Sequence, residues 1–88
     1  MTKGLSMEND RIALIGIIIE KKDNVASLNK ILSDNSQYII GRMGIPHTKR
    51  DISIISVVVE GPVEVINGIS GKLGAIDGVS SKVLYSKV

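Results

Sequence analysis

Three glycines, a lysine and, at its end, two serines make "SGKLGAIDGVSS" (70–81) look like a phosphate-binding loop. A nucleotide cradle needs them in a fixed order: a strand, then glycines, then Lys followed by Ser or Thr, so that N–H groups at a helix N-terminus face the anion. Here Leu73 follows Lys72, and the glycines come at the end of an apolar stripe with helical spacing. The segment is therefore read as the end of a helix. Gly71 and Gly74 serve close approach of helix and sheet or loosen the last turn, and Gly78 supplies the left-handed stop. Lys72 stays a candidate for meeting an anion or another subunit.

His47 is the only histidine, and cysteine is absent. A metal site needs several such ligands, so neither a metal nor a cofactor is expected, even with Asp23 or Asp51 nearby. The lack of cysteine also removes disulfides, iron–sulfur ligation and a thiol nucleophile. "HTKR" (47–50) reads as a solvated turn. Arg42 interrupts an apolar pattern, which makes it a candidate contact for a ligand or partner. In "EKKDNV" (20–25), Lys22, Asp23 and Asn24 lead into a helix whose free N–H groups suit an anion. Asp23 or Asn24 would satisfy the same groups as a cap, and the cap is the expected role. No Ser-His-Asp set and no paired carboxylate site points to an enzyme. Two tyrosines give no stacking platform, and a net charge of +2 from scattered residues gives no basic face, so direct nucleic-acid binding is not expected.

These residues must be positioned by a small scaffold. A chain of 88 residues with no Phe and no Trp has room for one core, built from Ile, Val and Leu. Residues 1–10 read as a flexible lead-in and 11–88 as a single domain. "RIALIGIIIE" (11–20) is a strand apolar on both faces, with Ile12, Leu14, Gly16 and Ile18 on one side and Ala13, Ile15, Ile17 and Ile19 on the other. A helix follows, with Val25, Leu28, Ile31 and Leu32 as its stripe, ending at Asp34–Ser36. "QYIIGRMGIP" (37–46) is a strand that Pro46 places at an edge or an end. "DISIISVVVE" (51–60) repeats the doubly apolar pattern. Gly61-Pro62 breaks it and starts a second helix, whose stripe is Ile66, Ile69, Leu73 and Ile76. "VSSKVLYSK" (79–87) is a more polar strand at the other edge. The longest apolar run, Ile12 to Ile19, is far short of the ~20 residues that span a bilayer, so no membrane association and a cytoplasmic location are expected.

The order βαββαβ, with the first and third strands most apolar, predicts an α+β ferredoxin-like sandwich: an antiparallel sheet with two helices on one face. Helices on one face account for only one apolar side of each central strand. The surplus side would form an apolar patch of roughly several hundred Å², a size that marks an interface. Sheet-to-sheet packing in a homodimer or tetramer is therefore expected. Ile17 and Val57 are taken as positions on the assembly face.

With this order in hand, "GRMGIP" and "SGKLGAIDGVSSK" carry a family resemblance. Ser70, Gly71, Lys72, Leu73, Gly74, Ile76, Gly78, Val79 and Lys82, with Arg42, Gly44 and Pro46, resemble the small ACT-like proteins of anaerobic bacteria described as proposed regulators of the iron-only hydrogenase system. The resemblance covers about residues 11–85. It implies a regulatory ACT-like fold assembling through its sheets, with a small effector or a partner protein as ligand. The fold also looks like the C-terminal domain of the nickel-responsive repressor, a tetrameric metal sensor. This chain departs from that pattern, with Gly44 and Pro46 rather than histidines in the second strand and no Cys in the third, so nickel binding does not carry over. Amino-acid-binding ACT domains often have a glycine in the loop after the first strand, where this chain has "KKDNV". Lys22, Asp23, Asn24, Arg42, Gly44 and Lys72 are the resulting ligand or interface candidates. No helix-turn-helix accompanies the domain, so any effect on DNA would act through a partner. The alternative function is a purely structural oligomerisation module with no ligand.

Overall fold

A computed structural model describes residues 10–47 and 50–87 of the chain. The lead-in expected over 1–10 thus lies, apart from Asp10, outside the described residues. β1 (Asp10–Ile19) is followed by a 3-10 turn at Lys22–Asn24 and by α1 (Val25–Asp34). A second 3-10 turn (Ser36–Tyr38) leads to β2 (Ile39–His47), then β3 (Ile52–Pro62), α2 (Val63–Gly74) and β4 (Val79–Tyr85). All strand pairs are antiparallel, in the order β2-β3-β1-β4, so the two most apolar strands are central and Pro46 lies on an edge. This is the predicted ferredoxin-like α+β arrangement, with both helices on one side of the sheet.

The register decides which apolar face is core. Ala13, Ile15, Ile17 and Ile19 of β1 and Ile55, Val57 and Val59 of β3 are buried together with Leu28 and Leu32 of α1 and Ile66, Ile69 and Leu73 of α2. Ile17 and Val57 are both 0% exposed, so the expectation that they lie on an assembly face is corrected. They are held there because the helix stripes need an unbroken apolar floor, and only this set supplies one. The strand expected to be covered twice is covered once within the chain.

Several boundaries differ from the sequence reading. The second strand starts at Ile39, after a 3-10 turn, and His47 is its last residue rather than part of the turn. At the β2–β3 connection Asp51 adopts φ 57°, a left-handed conformation that Asp tolerates better than most side chains. β3 runs through Gly61 and Pro62 instead of ending before them, and Pro62 occupies the N-cap position of α2 without a side-chain cap bond. A Cβ at Gly61 would lie 2.8 Å from the Tyr38 ring, so this glycine lets the aromatic ring pack on the strand.

α2 ends at Gly74, not at Gly78. Ile76 matches the helical spacing because the chain continues in turns, with its N–H bonded to the Leu73 carbonyl and the Val79 N–H bonded to the Ile76 carbonyl. Gly78 has φ +81° and sits in the turn into β4, where an added Cβ would lie 2.6 Å from the Lys21 Cβ. Gly71 has nothing within 4 Å of such a Cβ, so it does not serve a close approach to the sheet. Gly74 meets the Ser81 Cβ at 3.9 Å, an ordinary contact. The two outer glycines should therefore respond oppositely to alanine. Gly78→Ala is expected to cost about 1–3 kcal/mol from the left-handed backbone and the crowded Lys21 stem. Gly71→Ala is expected to gain up to about 1 kcal/mol of helix propensity. Thermal melts read both, at about 4–8 °C per kcal/mol for a domain of this size.

Candidate functional site

The sequence-predicted residues fall in three places. Lys22, Asp23 and Asn24 form the 3-10 turn between β1 and α1. Asn24 occupies the cap position of α1 but makes no side-chain cap bond. Its amide donates instead to the Asp77 carbonyl at 2.7 Å, which corrects the cap reading. Asp23 is exposed and provides no cap either. The turn is bound to the α2–β4 connection by two further links: the Glu20 N–H donates to the Gly78 carbonyl at 2.7 Å, and Lys21 Nζ reaches Asp77 Oδ2 at 2.9 Å. Lys72 is exposed in the last turn of α2.

The Lys21 hydrogen bond, and then its charge, hold the Asp77 carboxyl below its ordinary pKa, and the Lys21 ammonium is raised by the same two interactions. By linkage, the Asp77 contribution is present above its unfolded pKa and is lost as pH falls through the lowered folded value. The Lys21 contribution is complete below its unfolded pKa and is lost as pH rises through the raised one. Both groups are exposed, so salt screens the pair strongly. In Lys21→Met the Asp77 carboxyl midpoint, followed by carbon-13 NMR at low salt, is expected to move up, and the difference to shrink at high salt. An unchanged midpoint would show that the pair does not persist in solution.

Arg42 and Gly44 lie on the helix-facing side of the edge strand, because they pair with Val57 and Ile55. Arg42 Nη2 donates to Asn29 Oδ1 of α1 at 3.5 Å. Together with Leu32, Ser33, Ser36 and Ile39 these two residues line a groove of about 320 Å³ between α1 and β2. Sequence reasoning found Arg42 from its break in the apolar pattern but missed Asn29, Ser33 and Ser36. Gly44 is exposed farther along β2, where an added Cβ would lie 3.8 Å from Ile55.

Among the described residues, no element lies over the other face of the sheet. Seven of the exposed large hydrophobic residues fall there by register: Ile12, Leu14 and Ile18 of β1, Ile54 of β3, Met43 and Ile45 of β2, and Leu84 of β4. Their exposure runs from 37% at Ile54 to 70% at Leu84. Gly16, Ser56 and Lys82 interrupt the face at one level across three strands, because Gly16 pairs with both Ser56 and Lys82. Beside them Ile18, Ile54 and Ser80 help to line a shallow depression of about 250 Å³. Among the described residues, no three His, Cys, Asp or Glu side chains come together as a metal site, and no helix is long and apolar enough to cross a membrane.

Comparison with known proteins agrees with this architecture. A family model with the description "TM1266-like: Iron-only hydrogenase system regulator, putative" matches residues 11–83. Among solved structures, the uncharacterized protein TM1266 from Thermotoga maritima superposes with a TM-score of 0.85 at 29% identity, over 89% of this chain and 99% of that one. The C-terminal domain of the MgtC protein from Mycobacterium tuberculosis gives a TM-score of 0.70 at 10% identity, over 91% and 92% of the two chains. A homoserine dehydrogenase from Thiobacillus denitrificans gives 0.59 at 22% identity, over 90% of this chain but 18% of the enzyme. The last two likenesses show the fold alone. No match was found among curated proteins.

Proposed function

The chain belongs to the TM1266-like family, described as proposed regulators of the iron-only hydrogenase system, and from that premise we propose that it is a homo-oligomeric, non-catalytic regulatory module of the cytoplasm. A second copy covers the open sheet face, and a small effector or partner protein acts by favouring one arrangement of the subunits over another. An effector can shift such an equilibrium only as far as its affinities for the two arrangements differ. Any effect on hydrogenase production passes through a partner that carries the DNA-binding or catalytic part.

The observation that carries this reading is the concentration of large exposed side chains on one side of the sheet. Single exposed apolar residues are ordinary, but a contiguous set on a flat face is not. Burying one Leu or Ile side chain is worth about 1.5–3 kcal/mol, so several pairs across a two-fold axis offset the cost of association. The residues that interrupt the face are mostly small, so a second sheet can approach over Gly16 and Ser56. The test is the mass in solution by light scattering over a wide concentration range. A dimer or tetramer of the 9.4 kDa chain supports the proposal, and a monomer at every concentration removes its basis.

A further inference from the structure

The groove between α1 and the edge strand β2 differs from the open face in chemistry and position. Its floor is apolar, from Leu32 and Ile39, and its rim is polar, from Asn29, Ser33, Ser36 and Arg42. Arg42 stands on the helix-facing side of β2, where its register partner Val57 is fully buried. An apolar residue there would extend the core under α1. The chain instead places a guanidinium whose one side-chain hydrogen bond among the described residues is the long contact to Asn29 at 3.5 Å. Most of its five N–H donors are left to face solvent and the groove. Because Asn29 Oδ1 is the atom turned to Arg42, its amide N–H₂ is available as a further donor, and the two serine hydroxyls can donate as well. Among the described residues, no carboxylate lines the groove, and the Asp34 carboxylate, two positions from Leu32, is held by Lys30 at 3.3 Å. The lining is thus rich in donors, carries one full positive charge and has no competing anion.

We propose that this groove is the effector site, and that its ligand is a small oxyanion, a carboxylate or phosphate compound whose anionic group is gripped by the planar fork of Arg42 while its body rests on Leu32 and Ile39. A guanidinium matches the two oxygens of such a group with parallel hydrogen bonds, which an ammonium cannot do. The groove's size is at the lower end of small-molecule sites, which suits a metabolite. The site lies on the helix side of the sheet, so it stays open when a second copy covers the other face. Ligand bound across α1 and β2 would bridge a helix and an edge strand, and so reach the sheet that carries the assembly face.

This inference deepens the effector-binding part of the proposed function and is independent of the assembly part. The experiment is a two-dimensional NMR titration of the full chain with succinate and, separately, with inorganic phosphate, using succinamide as the neutral control. Saturable shifts are expected at the amides of Asn29, Ser33, Ser36 and Arg42, with none from succinamide. Arg42→Gln should weaken binding at least about tenfold, as loss of a charged hydrogen-bonding partner does, and Arg42→Lys should recover only part of it. Lys87→Gln removes the same charge elsewhere and should leave binding as it was. A response to succinate alone assigns a carboxylate effector, and a response to phosphate alone assigns a phosphate compound. No saturable shift with either anion overturns the proposal, and so do shifts that persist in Arg42→Gln or shifts that weaken equally in Lys87→Gln. Light scattering on the same samples reads assembly separately, so a failed oligomer and an empty groove are distinguishable.

Discussion

Ile18→Lys is expected to dissolve the oligomer and leave the domain folded, whereas Ile17→Lys is expected to unfold it. The two residues are neighbours of one type in one strand, yet their side chains stand on opposite faces. Ile18 is 41% exposed on the open face, opposite Ile54. In the monomer a lysine there keeps its ammonium in water, and surface changes of this kind fall within about 0.5 kcal/mol. In a two-fold assembly the same lysine appears twice, in an apolar contact, and each copy removes a buried side chain while adding an unpaired charge. Ile17 is 0% exposed beneath the helices. Its replacement removes about 2–5 kcal/mol of packing and forces a charge into the core. A domain of 88 residues has about 4–13 kcal/mol in total, so little or nothing remains. Light scattering combined with a thermal melt separates the outcomes. An Ile18→Lys chain that keeps the natural mass would sink the assembly face, and an Ile17→Lys chain with a normal melt would contradict the register.

That pair also marks what the sequence could and could not convey. Order and number of elements were legible because strand and helix periods differ, and the central strands were legible because both parities of "RIALIGIIIE" and "DISIISVVVE" are apolar. The same doubling hid which parity is core. A period of two is symmetric between faces, so Ile17 and Val57 read as plausible assembly residues until the helices are placed over them. A signal was present nonetheless. One parity runs Ala13, Ile15, Ile17, Ile19 and Ile55, Val57, Val59 without a break, while the other contains Gly16 and Ser56 at paired positions. A helix stripe needs the unbroken set, because a small or polar gap under Leu28 or Leu73 would leave a void or an unpaired hydroxyl.

The groove was legible only through Arg42. Asn29, Ser33 and Ser36 lie six to thirteen positions earlier, on a helix and a turn whose polar residues look like any solvated face. Only the return of the chain along the sheet edge brings them beside the arginine. The cap at Asn24 was misread for a related reason. A sequence shows that an Asn can accept a bond from its own helix, but not that the Asp77 carbonyl competes for its amide from more than fifty residues away. The end of α2 was overrun because Ile76 keeps the spacing set by Ile69 and Leu73 while the backbone has already left the helix.

Leu28→Ala is expected to destabilise the domain by about 2–5 kcal/mol, and to do so mainly by loosening α1. Leu28 and Leu32 are the only fully buried side chains of this helix, so its attachment rests on two anchors backed by the partly buried Val25 and Ile31. α2 is held by three, Ile66, Ile69 and Leu73. A helix of ten residues is too short to persist alone, so its order depends on that attachment. Removal of one leucine costs its transfer energy and leaves a cavity that the rigid sheet below cannot collapse to fill. Hydrogen exchange should therefore quicken first in Val25–Asp34, well before the β1–β3 ladder. Leu28 does not line the groove, so its replacement tests whether α1 must be anchored for the groove to exist. The expected result is weaker oxyanion binding with Arg42 still in place, because Asn29 and Ser33 move with the helix while Arg42 stays on the sheet. Uniform exchange across both helices and the sheet would instead mean that α1 and the sheet open as one unit.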